Sequence, residues 1–316
     1  MAQYGRERLA EKESGPDGLL PDRFAEWVGR QETATDWVTP SVLSRFAATF
    51  DRQGGTAGVN PLVHWLFFLP DAPQAALAAD GHPRKGEFIP PVALPRRMWA
   101  GSSLRFSAPL VADERISRVS TIRKVEQKTG RSGELVFVAV DHRISGTAGL
   151  AVAETQDIVY RDSPAPAAGS ASGQQRSGPT ARSTLPEKVY DWTRTVEPDT
   201  ALLLRYSALT FNAHKIHYDR GYTTRVEGYP GLVVHGPLVA TLLLDLFLRQ
   251  NPGSPVVGFD FRAVAPLYDT APFTTKGAAA PDGASLWAED ADGIVCMTAR
   301  VFSTADGAVA ASGKVL

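Results

Sequence analysis

The two halves of this 316-residue chain resemble each other, and this internal repeat restricts the possible folds more than any other feature of the sequence. Three pairs of segments align, each with an offset close to 160 residues: 44–51 (SRFAATFD) with 204–212 (LRYSALTFN), 104–116 (LRFSAPLVADERI) with 259–273 (FDFRAVAPLYDTAPF), and 133–140 (GELVFVAV) with 293–301 (GIVCMTARV). A repeat of this length is far longer than the roughly 20–50-residue unit of a solenoid. The pattern therefore predicts a duplicated domain.

A segment of small and polar residues separates the two copies. Residues 163–184, SPAPAAGSASGQQRSGPTARST, show no hydrophobic periodicity and cannot bury enough surface to order themselves. We therefore predict a flexible linker there, with domains at 18–162 and 185–316 and an N-terminal extension at 1–17.

Each half begins with a helical pattern and continues into strand-like stretches rich in Val, Ile, Phe and Thr. Helices are predicted at 40–50 and 198–210, each with proline near its start. A longer helix is predicted at 236–249, and its apolar residues cover nearly the whole circumference, which is typical of a buried helix. KTGRSGE, which contains Gly130 and Gly133, has no helix after it and predicts a hairpin turn. The expected fold is α+β, with a curved antiparallel sheet around a central helix, in duplicate.

The composition excludes several classes of function. A formal net charge of −1 and a pI near 6.6 give no electrostatic support for a nucleic-acid partner. The longest apolar run, 238–248, contains Asp245 and is too short to cross a membrane. The charged start lacks a signal-peptide core, and the single cysteine, Cys296, allows neither an internal disulfide nor a metal site by itself. We therefore expect a cytoplasmic protein without a membrane segment or a metal.

The residues most suggestive of chemistry lie between Arg205 and Asp245. Three of the six histidines of the chain fall in this segment, at His214, His217 and His235. Histidine titrates near neutral pH and can give or accept a proton there. The last of the three directly precedes Gly-Pro and the long apolar helix, whose first N–H groups attract negative charge. The segment is therefore typical of a proton-transfer site beside a helix N-terminus.

These motifs resemble the MaoC-like, or hydratase 2, family of double hot-dog proteins. The family has an Asp-x-Asn-Pro-x-His-x-Asp loop followed by His-Gly at the start of the central helix; here the loop is 212–219 (NAHKIHYD) and the helix starts at 235–237 (HGP). Residues 81–106, GHPRKGEFIPPVALPRRMWAGSSLRF, resemble a narrower group that contains mesaconyl-C4-CoA hydratase, itaconyl-CoA hydratase and the mitochondrial 3-hydroxyacyl-thioester dehydratase. The resemblance covers nearly the whole chain outside 1–17 and the linker. It implies a degenerate N-terminal hot-dog domain and a catalytic C-terminal one.

The resemblance also implies an activity and a set of catalytic residues. The family reversibly hydrates a 2-enoyl thioester to a 3-hydroxyacyl thioester, with no cofactor beyond the CoA thioester substrate. On this pattern His217 is the acid/base and the N–H of Gly236 stabilises the oxyanion. The catalytic Asp of the family falls on Asn212, which cannot accept a proton but can orient water, so the mechanism must be modified. His214 either replaces the missing Asp or braces the loop.

Several further residues are candidates for substrate binding. Arg96 and Arg97 lie beside a tryptophan and suit a phosphate or carboxylate, although a structural ion pair is the alternative. Arg262 is a similar candidate. His235 either holds the turn into the helix or contacts substrate, and Tyr206 is a candidate whose alternative is core packing.

The first half lacks a counterpart of the histidine loop. Asp51 aligns with Asn212, but only thirteen residues separate Asp51 from His64, whereas twenty-three separate Asn212 from His235. We therefore expect one active site per chain, in a monomeric pseudodimer or a homodimer that binds acyl-CoA.

The substrate remains open between a short dicarboxylic acyl-CoA, such as mesaconyl- or itaconyl-CoA, and a 3-hydroxyacyl-ACP or -CoA of fatty-acid type. A non-catalytic acyl-CoA-binding protein is a third hypothesis. A thioesterase is disfavoured, because position 212 has no carboxylate.

Overall fold

The structure is a computed structural model that describes residues 23–52, 60–130, 133–162 and 189–304. The predicted N-terminal extension at 1–17 and the predicted linker at 163–184 lie outside the described residues. The domain bounds at 18–162 and 185–316 therefore stay predictions.

A single antiparallel sheet of ten strands runs through both halves of the protein. The strands are β1 (Gln31–Trp37), β2 (Arg96–Phe106), β3 (Arg115–Gly130), β4 (Gly133–Gly146), β5 (Gly149–Arg161), β6 (Trp192–Val196), β7 (Gly258–Ala263), β8 (Phe273–Ala280), β9 (Gly283–Glu289) and β10 (Val295–Phe302). Their order is β1-β3-β4-β5-β2-β7-β10-β9-β8-β6. Each half has the same strand order, and the two halves join through β2 and β7, where Leu104 lies opposite Phe259. The duplication predicted from the sequence is confirmed.

The predicted helices are confirmed with small changes at their ends. They are α1 (Pro40–Thr49), α2 (Thr200–Leu209) and α4 (Gly236–Gln250); a short helix that was not predicted, α3 (Arg220–Arg225), lies between the last two. The turn predicted around Gly130 and Gly133 is confirmed as well, since these two glycines pair at the end of the β3–β4 hairpin.

The structure corrects the alignment of the repeats at the end of the first helix. Asp51 and Phe211 are the residues with positive φ after α1 and α2, with φ of 51° and 46°. In each half the next residue donates its N–H to a helix carbonyl, Arg52 to Ala47 at 2.9 Å and Asn212 to Ser207 at 2.8 Å. Arg52 is therefore the counterpart of Asn212, and the alignment with Asp51 was one residue off because Phe-Asp resembles Phe-Asn.

A second correction concerns the last strand. The strand order makes β10 the counterpart of β5, whereas the sequence alignment paired it with β4. Neighbouring strands of one sheet share the same alternation of apolar residues, so a match of eight residues cannot distinguish them.

Helix α4 is the central element of the second half. Its residues from Leu238 to Phe247 are all buried, and strands β6 to β10 pack around it. Pro237 occupies the first turn, where its missing N–H costs no hydrogen bond.

Between α1 and β2, the described residues of the first half form two short 3-10 helices, Pro61–Leu66 and Gln74–Ala76. Pro70 and Pro73 follow the first of these closely and cannot continue a helix. The wrapped helix predicted for both halves is therefore long only in the second one.

Burial divides the apolar side chains into two clusters. The larger cluster takes residues from both halves, including Leu62, Leu104, Leu243 and Phe259. The smaller one belongs to the first half and surrounds Tyr160. Within the ranges that the structure describes, no helix is long and apolar enough to cross a membrane.

Candidate active site

His217 lies at the centre of the predicted catalytic loop and is almost fully buried. It ends a short 3-10 helix at Lys215–His217, and its Nδ1 lies 2.7 Å from the carbonyl oxygen of Val233. A carbonyl only accepts, so Nδ1 must carry the hydrogen, and the lone pair is on Nε2. Burial lowers the pKa of His217 to about 3, against the effect of the Val233 hydrogen bond. The imidazole is therefore neutral at physiological pH and can accept a proton through Nε2.

His235 stacks on His217 and lies directly before α4. The two rings are 3.7 Å apart and nearly parallel. The Nε2 of His235 lies 2.8 Å from the hydroxyl oxygen of Ser207, and only 1% of the residue is exposed. The ring of Tyr206 contacts that of His235 edge-on, with centroids 5.1 Å apart, and is equally buried. His235 and Tyr206 thus support His217 from behind, and a substrate could reach neither of them without rearrangement.

Gly236 begins α4 beside these histidines, and its N–H belongs to the first turn, where helix N–H groups lack intrahelical partners. A Cβ placed on Gly236 would meet only the carbonyl oxygen of Trp99, at 4.0 Å, so the space in front of the glycine is open. Trp99 packs against Trp65 and Phe261, with ring centroids 4.9 and 6.0 Å away. The glycine that carries the predicted oxyanion donor therefore has open space on its Cβ side, beside an aromatic cluster.

Asn212 and His214 form a tight turn at the start of the catalytic loop. The Oδ1 of Asn212 accepts the N–H of His214 at 2.9 Å, so the side-chain NH2 group is the part that remains for a water. The ring of His214 lies 5.5 Å from that of His217 and perpendicular to it. Burial lowers the pKa of His214 to about 3, and the neighbouring His82 acts in the same direction.

A loop of the first half completes this group of residues, and sequence reasoning missed it. The ring of His82 lies 4.0 Å from that of His214. Asp80 accepts the backbone N–H of His82 at 3.0 Å, and its other oxygen lies 3.1 Å from Nδ1 of His82. Lys215 donates its backbone N–H to the carbonyl of Asp80 at 2.8 Å. The signal available in the sequence was Asp-Gly-His at 80–82, at the start of the segment that carries the resemblance, where only the arginines were considered.

The adjacent arginines Arg96 and Arg97 point to opposite sides of β2. Arg96 is an ion-pair residue: it contacts the Glu227 carboxylate at 3.3 Å and packs over Tyr229. Arg97 is exposed and lies across from Tyr160 on the inner face of the sheet. Its charge acts with burial to lower the pKa of His214. The structure therefore brings Arg97 to the site and gives Arg96 a structural role.

Arg262 lies on the other face of the sheet. It pairs with Gly101 on β2, which pairs in turn with Asp157. Burial raises the pKa of Asp157, and the Arg262 guanidinium opposes that shift. Because side chains alternate along a strand, Arg262 faces away from the site while its neighbour Phe261 faces it. The substrate-binding role predicted for Arg262 is therefore not part of this site.

Within the described part of the chain, Asp80, His82 and His214 form the group that could hold a metal, since one ligand atom from each lies within 4.8 Å of the others. Both carboxylate oxygens of Asp80, however, already accept hydrogen bonds from His82. The positive charge of Arg97 is close enough to act on both imidazoles. The donors therefore fit a hydrogen-bonded carboxylate–imidazole pair better than a cation site.

Fold and site together define a class: a double hot-dog protein with a buried histidine beside the start of the central helix. The family model for hydroxyacyl-thioester dehydratase type 2 matches residues 62–269. The chain belongs to this family, and it is a hydro-lyase of acyl thioesters.

Two curated relatives are similar over most of their length. Mesaconyl-C(4)-CoA hydratase of Chloroflexus aurantiacus is 46% identical over 280 residues, which cover 87% of this chain and 96% of the relative. The mitochondrial hydroxyacyl-thioester dehydratase type 2 of Schizosaccharomyces pombe is 29% identical over 68% of this chain and 76% of its own. The family and the hydro-lyase class predicted from the sequence are confirmed.

Solved structures confirm the double hot-dog fold. A MaoC-like dehydratase matches with a TM-score of 0.63 and 17% identity, over 89% of this chain and 99% of its own. HtdX of Mycobacterium tuberculosis matches with a TM-score of 0.57 and 18% identity, over 86% of this chain and 100% of its own. At this identity the likeness concerns the fold alone.

Proposed function

We propose that this protein reversibly hydrates a short dicarboxylic 2-enoyl-CoA, in which the end opposite the thioester is a free carboxylate, such as mesaconyl-C4-CoA or itaconyl-CoA. The observation that carries the proposal is His217, with Nδ1–H fixed on the Val233 carbonyl and Nε2 left as a proton acceptor beside the open N-terminus of α4. The mesaconyl-C(4)-CoA hydratase relative, matched over 96% of its length, supports the choice of substrate. We further propose acyl-CoA as the binding partner and the cytoplasm as the location.

In the hydration direction, a water held near His217 attacks C3 of the enoyl thioester. The neutral Nε2 takes one proton from this water as its oxygen bonds to C3. The electron pair of the C2=C3 double bond moves toward the thioester oxygen, and a proton then reaches C2 to give the 3-hydroxyacyl thioester. Dehydration follows the same steps in reverse.

The negative charge that develops on the thioester oxygen needs a fixed donor. The N–H of Gly236 is suited to this role, because it belongs to the first turn of α4, where N–H groups have no intrahelical partner. A donor of this kind contributes about a hundredfold or more to the rate, since it does not have to reorganise during the reaction.

Asn212 would orient the attacking water through its NH2 group, because its Oδ1 is engaged by the backbone of His214. His214 would brace the loop and separate His217 from the first-half loop, consistent with its ring contacts on both sides.

Arg97 would bind the distal carboxylate of the substrate. It is exposed and belongs to the strand whose Trp99 carbonyl lies opposite Gly236. A guanidinium binds a carboxylate through two parallel hydrogen bonds, which would favour a dicarboxylic acyl group over a plain enoyl chain. A longer acyl chain of fatty-acid type is the second candidate, and the Schizosaccharomyces pombe relative supports it.

The test measures turnover of mesaconyl-C4-CoA, itaconyl-CoA and enoyl-CoA esters of increasing chain length. Turnover is monitored through the loss of enoyl-thioester absorbance. We expect His217→Ala to reduce kcat about a hundredfold or more with the circular dichroism spectrum unchanged. Asn212→Asp restores the carboxylate of the wider family and should keep measurable activity. A loss of only two- to threefold in His217→Ala would contradict the assignment, and preferred turnover of long apolar chains would select the second candidate substrate.

A further inference from the structure

We propose that the Asp80–His82 pair of the first half is a second acid/base unit of the active site, in which His82 is a catalytic residue and Asp80 positions it. The pair would replace the carboxylate that the wider family has at position 212. This inference rests on the proposed hydratase function and adds to it, because it makes the first half a direct participant in the chemistry.

The geometry is that of a carboxylate holding an imidazole in a fixed orientation. Asp80 Oδ2 lies 3.1 Å from Nδ1 of His82, and Asp80 Oδ1 accepts the backbone N–H of the same residue at 3.0 Å. A carboxylate is an acceptor, so Nδ1 donates and Nε2 is left for proton transfer. A carboxylate in this position fixes the tautomer and stabilises the imidazolium.

The pair is held against the catalytic loop by backbone contacts. The Asp80 carbonyl accepts the N–H of Lys215 at 2.8 Å, and the His82 ring lies 4.0 Å from that of His214. Gly81 has a φ of 95°, and a Cβ there would overlap the carbonyl oxygen of Ala213. The side chain of His82 is 21% exposed, so a substrate in the site can reach it.

The charged groups around His82 distinguish it from the other histidines of the site. Asp80 is hydrogen-bonded to its ring, His214 packs on it, and Arg97 and Lys85 are close enough to act on its charge. Burial lowers the pKa of His82, and the Asp80 carboxylate opposes this effect. Burial raises the pKa of Asp80, but its hydrogen bonds to His82 outweigh burial and keep the carboxyl ionised.

His217 has no such partner, because its ring hydrogen is bound to a neutral carbonyl. Two titratable groups whose surroundings differ in this way are suited to opposite roles in one reaction. His217 is the group that is neutral and accepts a proton. His82 is the better placed of the two to carry a second proton, because its ring is bonded to a carboxylate that opposes the effect of burial on its pKa.

One turnover adds one water to the substrate and returns both histidines to their starting protonation states. Water bonds to C3 and loses one proton to Nε2 of His217, while the C2=C3 electron pair moves onto the thioester. The imidazolium form of His82 transfers the proton on its Nε2 to C2, which completes the addition of one water; the fraction of His82 in this form rises as the pH falls. The proton on His217 returns to His82 through solvent before the next turnover.

The experiment compares kcat/KM against pH for the full-length wild type and the variants His82→Gln, Asp80→Asn and His217→Gln, with mesaconyl-C4-CoA and crotonyl-CoA as probes. His142→Gln is the matched control, since His142 lies in the first half and bonds Ser120 outside the site. We expect His82→Gln to lower kcat about a hundredfold and to remove the alkaline limb of the profile. Asp80→Asn should lower kcat about tenfold and move that limb to lower pH, because the imidazolium loses its carboxylate. His142→Gln should leave kcat and the alkaline limb unchanged.

The outcomes separate the two proposals. If His217→Gln abolishes activity while His82→Gln reduces it less than threefold, this inference is wrong and the proposed function stands. An alkaline limb that stays in place in Asp80→Asn also overturns the inference, and this readout does not depend on the amount of folded protein. A wild type that hydrates none of the probes overturns the proposed function and the inference with it. Activity that requires an added divalent cation and disappears on chelation would reassign Asp80, His82 and His214 to a metal.

Discussion

Identical residue types take different roles in this protein because their surroundings differ. Arg96 is paired with Glu227, whereas its neighbour Arg97 is exposed beside the histidines. Among the histidines, His217 has an available Nε2, and His235 is buried behind it with Nε2 on Ser207. At the scale of single residues, function therefore follows from which polar groups the fold leaves accessible to the site.

The two arginines provide a matched test of the carboxylate-binding role. Arg97→Lys should raise KM for mesaconyl-C4-CoA about tenfold with little effect on crotonyl-CoA, because an ammonium cannot form the bidentate contact. Arg96→Lys should leave the KM ratio of the two substrates unchanged and lower the melting temperature instead. Equal KM increases for both substrates in Arg97→Lys would mean that Arg97 does not bind the distal carboxylate.

The buried histidines also predict how stability depends on pH. The pKa of His217 is about 3 in the folded protein and near 6.5 in a model peptide. Below pH 6.5 the unfolded chain therefore binds a proton that His217 does not bind in the folded protein. The contribution of His217 to the free energy of unfolding is complete above this pH and is lost as the pH falls toward 3. Within this window each pH unit costs up to about 1.4 kcal/mol per such group. Urea unfolding of wild type and His217→Gln at mildly acidic and neutral pH would measure this change in the free energy of unfolding. If acidification lowers the stability of both proteins equally, His217 is not a cause of the pH dependence.

At the scale of elements, the active site is an interface between loops of the two halves. The Asp80–His82 loop comes from the irregular chain before β2, and the His214–His217 loop comes from the segment between α2 and α3. A glycine at the contact lets their backbones approach. The chemistry therefore depends on how two loops dock, more than on either loop by itself.

Gly81 and Gly149 allow this docking to be tested with two matched variants. Both glycines have a φ of 95°, but a Cβ at Gly81 would overlap Ala213 whereas nothing lies within 4 Å of a Cβ at Gly149. Gly149→Ala should cost about 1–3 kcal/mol of stability from backbone strain and leave kcat unchanged. Gly81→Ala should cost more and also reduce kcat, because the loop that carries His82 must move. Equal kinetics in the two variants would show that the contact has no catalytic consequence.

At the scale of the whole molecule, the two halves are joined by more than the β2–β7 pairing. Asp245 lies in the middle of α4 with its side chain 2% exposed, and it accepts Arg52 from the first half at 2.5 Å. Arg194 and Arg249 reach the other carboxylate oxygen at 3.0 and 2.7 Å. The central helix of the second half is thus tied to the end of the first helix of the first half.

Asp245→Ala should destabilise the whole protein, because it leaves three guanidinium groups without their carboxylate. Breaking a buried ion pair in this way costs about 3–5 kcal/mol, measured as the free energy of unfolding in urea. Asp282→Ala removes the carboxylate of a more exposed pair with Arg300 and should cost less than about 1 kcal/mol. If the two variants lose similar amounts of unfolding free energy, the ion pairs of Asp245 do not hold the two halves together.

Much of this could be predicted from the sequence because the signals are local. Proline at helix starts and a run of leucines fix α1, α2 and α4 to within two residues. The family follows from the spacing of Asn212, His217 and His235. The roles of Arg262 and Asp80 could not be predicted, since one depends on which face of the sheet it occupies and the other on a loop contact between residues more than a hundred positions apart.

The sequence by itself determined the duplication, the buried central helix and the histidine loop, because each depends on a pattern read within a short stretch of chain. Only the tertiary structure decided which strands of the two repeats correspond, which of the two neighbouring arginines is exposed, and that Asp80 and His82 lie beside His214. The physical reason is that these three outcomes depend on strand register and loop docking. Loop docking is set by packing between segments that are distant in the sequence, and neighbouring strands with the same alternation of apolar residues cannot be told apart by their local pattern.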